Sequence, residues 1–167
     1  MIKKHTILVV DHEESFIEYI QRMMSDENYN LITVASGQEG LDVLEKQQVS
    51  MVISEYEIPL MNGLEFLEKV RIIYPNILTV MVTDRADIDL AIKAINEAGV
   101  YKFLLKPLDD IDFKNMIKKT LESLQVIKER DVLIRKVKTH ESTLKDLEKR
   151  YPGITKVERD EDGYILP

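Results

Sequence analysis

The chain has 167 residues, 44% hydrophobic and 32% charged, which is room for one well-buried domain and an appendage but not for two full domains. It contains no cysteine, which excludes a disulfide framework and a thiolate zinc site and fits a cytoplasmic setting. The net charge of -7 sits mainly in residues 1–123, where 21 Asp/Glu oppose 13 Lys/Arg; such a surface repels a phosphate backbone, so no nucleic-acid partner is expected. No apolar run approaches a membrane span, and residues 1–6 lead straight into a strand-length segment without a signal-peptide core.

Short apolar runs alternate with amphipathic stretches five times, the pattern of a parallel sheet covered by helices on both faces. Strands are predicted at Ile7 to Val10, Asn30 to Val34, Met51 to Ser54, Leu78 to Val82 and Tyr101 to Leu105. The first, third and fourth are continuously apolar and rich in Val and Ile, as strands buried on both faces must be. Helices are predicted near 13–27, 37–47, 63–73 and 86–98. The second carries Leu41, Leu44 and Val49, and the fourth is expected to bury Ile88, Ala91, Ile92 and Ile95 before stopping at Gly99.

Past Asp109-Asp110, two acids suited to a helix start, about 40 residues run without Gly or Pro. Their first turns should pack through Phe113, Met116, Ile117, Leu121 and Leu124. At about 1.5 Å per residue the remainder is too long for one domain. Val126, Arg130, Leu133, Val137, His140, Leu144, Leu147 and Tyr151 follow a 3-4 spacing, which predicts a coiled-coil seam and a homodimer; a helix folded back on its own domain is the alternative. Tyr151-Pro152-Gly153 ends the helix, and residues 154–166 alternate about a polar turn as a short β-hairpin would. The expected division is therefore 1–123, 124–151 and 152–167.

Four polar residues stand at strand ends: Asp11, Glu55, Thr83 and Lys106. A parallel sheet of this kind binds its ligand beyond those ends. Each residue suits phosphoryl transfer to a carboxylate, where positioning and charge neutralisation supply most of the rate.

The segments ILVVDHEE at 7–14, Met51 to Gly63, TVMVTD at 79–84 and YKFLLKP at 101–107 together resemble the receiver domain of bacterial two-component response regulators. The resemblance implies a flavodoxin-like, doubly wound α/β fold with a five-stranded parallel sheet of order 2-1-3-4-5 and a long C-terminal helix. It implies a regulatory module rather than an enzyme. By the same resemblance Asp11 is the first of an acidic pair that holds magnesium, Glu55 occupies the position of the phosphoacceptor aspartate, and Glu57 offers its backbone carbonyl to the metal. Thr83 and Lys106 would bind phosphoryl oxygens, Phe103 matches the aromatic switch, and Pro59, Gly63 and Pro107 match the flanking turns. Partners would be a sensor kinase or a downstream signalling protein, docking on about residues 86–122.

Two departures fall on the chemistry. His12 replaces the second metal-binding acid, and neutral imidazole is a poor ligand for magnesium. Glu13 or Glu14 compensates, or both are simply first-turn helix acids. Glu55 is one methylene longer than aspartate, and a misplacement of about 1 Å can cost about a hundredfold in an in-line transfer. Three functions therefore stand open: signalling independent of phosphorylation, residual magnesium-dependent phosphotransfer, and a structural dimerisation adapter.

Overall fold

The computed structural model describes residues 5–153. These fall into two compact units that divide between Glu122 and Ser123. In the first, five strands, β1 (Thr6–Val10), β2 (Asn30–Val34), β3 (Met51–Ser54), β4 (Leu78–Thr83) and β5 (Lys102–Leu105), form one parallel sheet of order β2-β1-β3-β4-β5. The helices are α1 (Glu14–Met23), α2 (Gly37–Lys46), α3 (Gly63–Ile73), α4 (Ile88–Asn96) and α5 (Asp110–Arg150). Fold class, strand order and the long last helix agree with the sequence reading.

Alternate strand residues feed two cores, as the two-residue period of a pleated strand requires. Ile7, Val9, Met51, Ile53, Val80 and Val82 pack with Ile20 and Met23 of α1 and with Phe113, Ile117 and Leu121 of α5. Leu8, Val10, Val52 and Met81 face Leu44, Phe66, Leu67 and Val70 of α2 and α3, and Leu90 and Ala94 of α4. Helices α2, α3 and α4 start where side chains cap them: Ser36 accepts from the Glu39 amide, Asn62 from Glu65, and Asp87 from Asp89 and Leu90.

One expected face is wrong. Helix α4 buries Leu90 and Ala94, with Ala98 just beyond it, while Ile88, Ile92 and Ile95 are exposed. Leu90, Ala94 and Ala98 also recur every fourth residue, which puts them on one face of the helix. The chain leaves this segment at Gly99, whose φ of +62° suits glycine.

In the second unit the helix runs to Arg150, Tyr151 donates its amide to the Leu147 carbonyl, and the Gly153 amide donates to Glu148 Oε1 at 2.7 Å. Val126, Leu133, Val137, Leu144 and Tyr151 are exposed. The expected hairpin lies outside the described residues.

Candidate functional site

Three strand ends deliver charge to one point. The backbone sets this up: the Asp11 amide donates to the Val34 carbonyl, Glu55 to Val10, and Lys106 to Thr83. Each residue just past its strand is thus held in register with a neighbouring strand. Lys106 Nζ then reaches 2.8 Å from Asp11 Oδ2 and 2.9 Å from Glu55 Oε2. Asp11 and Glu55 are almost wholly buried, at 1% and 3% exposure.

The remaining oxygens are occupied. Asp11 Oδ1 accepts from the Glu13 amide at 2.8 Å, and Glu55 Oε1 accepts from the amides of Tyr56 at 2.7 Å and Glu57 at 3.3 Å. Glu55 Oε2 is held by charge alone: its approach to Lys106 is short but lies outside hydrogen-bonding angles. Phe16, on α1, places its ring 4.0 Å below the Lys106 ammonium, so a third side of the cation is closed by a π face. Burial alone pulls the lysine pKa down, but the contacts with Asp11 and Glu55 outweigh it and leave the ammonium above its usual value.

Tyr19, one turn beyond Phe16, donates to the Leu108 carbonyl at 3.3 Å and to Asp110 Oδ1 at 2.5 Å. This anchors the segment that follows Lys106. Burial, followed by the bond and charge of Asp110, pushes the Tyr19 phenol up to about 12. Phe16, Tyr19, Asp84, Lys106 and Leu108 line an open cleft of about 420 Å³ beside the ion pair. Neither aromatic residue was singled out from sequence, although two rings three residues apart at the start of α1, next to Asp11, were a visible signal.

Thr83 is fully buried and its Oγ1 accepts from the Arg85 amide at 3.3 Å. Phe103 is half-buried against the core on the α4 side. Arg85 reaches Glu57 at 3.7 Å and Asp87 at 3.6 Å and lies 5.4 Å over the Tyr56 ring. Glu57 therefore turns to Arg85 and not to the point where Asp11 and Glu55 meet.

After Glu55 the chain turns sharply. Met61 donates to the Pro59 carbonyl around Leu60, an exposed residue with φ of +73°. Gly63 then comes so close that a Cβ there would lie 2.1 Å from the Glu55 carbonyl oxygen, and its amide donates to Tyr56 O at 2.6 Å. Glycine is required at this contact.

The magnesium implied by the resemblance does not fit this donor set. Asp11 and Glu55 share Lys106 and have their other oxygens on backbone amides, and exposed His12 offers no carboxylate where the second metal-binding acid would stand. Among the described residues no group of three His, Asp or Glu side chains is arranged to hold a metal ion.

The comparisons with known proteins agree on the class. The chain is 35% identical over 105 residues to the hydrogenase transcriptional regulatory protein HoxA of Cupriavidus necator, which is 63% of this chain and 22% of that protein. It is 28% identical over 115 residues to sporulation initiation phosphotransferase F of Bacillus subtilis, covering 69% of this chain and 92% of that one. The signal receiver domain of an HD domain-containing protein from Pseudomonas fluorescens Pf-5 superposes with a TM-score of 0.75 at 30% identity, over 78% of this chain and 96% of that chain. The chain spans about a fifth to a third of the full length of the transcriptional regulators it matches. The sequence model of the response regulator receiver domain matches residues 7–118, and with the sheet order and these relatives it follows that the chain belongs to the response regulator receiver family.

Proposed function

We propose that this receiver domain signals through protein contacts without waiting for a phosphoryl group, with Glu55 standing at the acceptor position. The observation that carries this reading is the placement of Lys106 Nζ between Asp11 Oδ2 at 2.8 Å and Glu55 Oε2 at 2.9 Å. A carboxylate of the chain itself engages the amine that the family offers to a phosphoryl group. The imitation is partial, since a carboxylate carries one charge where a phosphoryl group carries about two. The same contacts occupy the carboxylate oxygens that a divalent cation would need, which supports a site at Asp11, Glu55 and Glu57 that does not depend on magnesium and carries no enzymatic turnover.

The contact surface for a kinase or downstream protein is α4 and β5, where Ile88, Ile92, Ile95 and Leu105 are exposed. The apolar positions of the distal helix support a homodimer, in a cytoplasmic setting and without nucleic acid or membrane. Incubation with acetyl phosphate and magnesium, followed by intact-mass measurement, tests the central claim. The expected spectrum is unchanged; an added phosphoryl mass would overturn the reading. Truncation after Leu124 is expected to turn the dimer into a monomer at matched concentration, and a truncated chain that still has the solution mass of its own dimer would remove the seam.

A further inference from the structure

We propose that the distal helix pairs antiparallel with a second copy of this chain, an inference that rests on the dimer reading above. The argument starts from what the eight seam positions would face. In heptad terms Arg130, Val137, Leu144 and Tyr151 are a positions, and Val126, Leu133, His140 and Leu147 are d positions. The apolar members are solvent-exposed in the single chain, Leu133 at 61%, Val137 at 57% and Leu144 at 51%, which leaves a stripe that needs a cover.

A parallel, in-register pair stacks every residue on its own copy. Arg130 then faces Arg130 across an a layer and His140 faces His140 across a d layer. Two guanidiniums brought into one apolar layer repel, and neither can be discharged because arginine stays protonated. The flanking positions help only at Lys136 against Glu141, while Glu129 meets the apolar Ile134.

Reversing one helix changes each of these layers. With full overlap, a packs on d of the other copy: Arg130 meets Leu147, Leu133 meets Leu144, and Val137 meets His140. No seam layer then pairs like with like. The flanking g positions bring Glu129 of each copy beside Arg150 of the other, and two-fold symmetry makes that pair twice. Exposed ion pairs are individually weak, so the selectivity comes mainly from the repulsion that the parallel order would incur. The Arg130 side chain, paired among the described residues only with its neighbour Asp131 at 3.3 Å and largely exposed, is the element that sets the orientation.

The absence of native cysteine makes the test direct, because an introduced thiol has no competitor. The full chain carrying Leu133→Cys, oxidised at a concentration where its solution mass is that of a dimer, should give no covalent dimer. Leu133→Cys combined with Leu144→Cys should give one. Cross-linking by Leu133→Cys alone would overturn the antiparallel order and leave the dimer standing, as would failure of the double variant to cross-link. A monomer mass for the unmodified chain at every concentration would remove both. Independently, Glu129→Arg should weaken dimerisation about fivefold and adding Arg150→Glu should restore it. A swap that restores nothing while the dimer remains measurable contradicts the pairing.

Discussion

The Lys106 ammonium lies 2.9 Å from Glu55 Oε2, and the other oxygen of that carboxylate is held by two backbone amides in succession. Glu55 is thus bound at both oxygens without any ligand. With Asp11 on the same ammonium, two buried carboxylates share one cation, and the surplus negative charge is met by the Glu13, Tyr56 and Glu57 amides. Such an arrangement tolerates little disturbance, because each partner removed leaves another buried and uncompensated.

Lys106→Met makes that cost measurable. It leaves Asp11 and Glu55 facing each other with no cation, and the domain should lose about 3–5 kcal/mol. A urea titration would show a lower midpoint with an unchanged slope. A midpoint equal to that of the unmodified chain would mean that the ion pair contributes nothing to the fold.

The alkaline limb of stability should carry three groups: Tyr19, Lys106 and Tyr29, whose phenol is raised by burial and by the charges of Glu27 and Glu122. Tyr19 is raised from 10.0 to about 12, so the folded state holds its proton more tightly than the unfolded chain does. Its contribution is complete below pH 10 and disappears as the pH climbs toward 12. Lys106 is also raised, so its contribution is complete below the unfolded value of about 10.4 and is lost above it, as the pH passes the folded value. Denaturant midpoints should therefore fall from about pH 10 upward. In Tyr19→Phe the fall should be shallower, and phenolate absorbance should lose a late-titrating component. An identical pH profile in the variant would disprove the anchoring role of Tyr19.

Gly63→Ala tests the tight turn. The new methyl would have to occupy space 2.1 Å from the Glu55 carbonyl oxygen, a backbone atom that cannot swing aside. The expected loss is at the upper end of the range for overpacking, about 3 kcal/mol, read from thermal or chemical denaturation. A stable variant would show that the loop after β3 shifts freely.

Restoring the acids should restore the chemistry. With Glu55→Asp and His12→Asp together, acetyl phosphate and magnesium should add one phosphoryl mass, because the shorter carboxylate withdraws from Lys106 and the added acid supplies the missing hard oxygen ligand. If the double variant stays unmodified, Thr83 and Lys106 do not form a working phosphoryl pocket.

The parts of the site legible in the sequence were those fixed by strand ends. Asp11, Glu55 and Lys106 each follow a short apolar run, and a parallel sheet gathers such positions at one edge whatever lies between them. The lysine and its two carboxylates meet for that reason. Phe16 and Tyr19 mark an aromatic face at the start of α1, but the partners that give it a role, Lys106, Leu108 and Asp110, lie about 90 residues away in sequence. Helix α4 was misread for a different reason: Ile88, Ile92 and Ile95 make a convincing apolar stripe, yet the stripe through Leu90, Ala94 and Ala98 faces the sheet. Three isoleucines outweigh one leucine and two alanines in hydrophobicity, so composition alone points to the wrong face.

Lys106 follows β5, which among the described residues is an edge strand bonded only to β4. Edge strands ordinarily fray, and their amides exchange with solvent long before the rest of a sheet opens. Here the residue after the strand is tethered across β4 to Asp11 and Glu55, which follow the interior strands β1 and β3, so lifting β5 means stripping a cation from both carboxylates at once. The amides of Lys102–Leu105 bonded to β4 should therefore exchange at the pace of global opening.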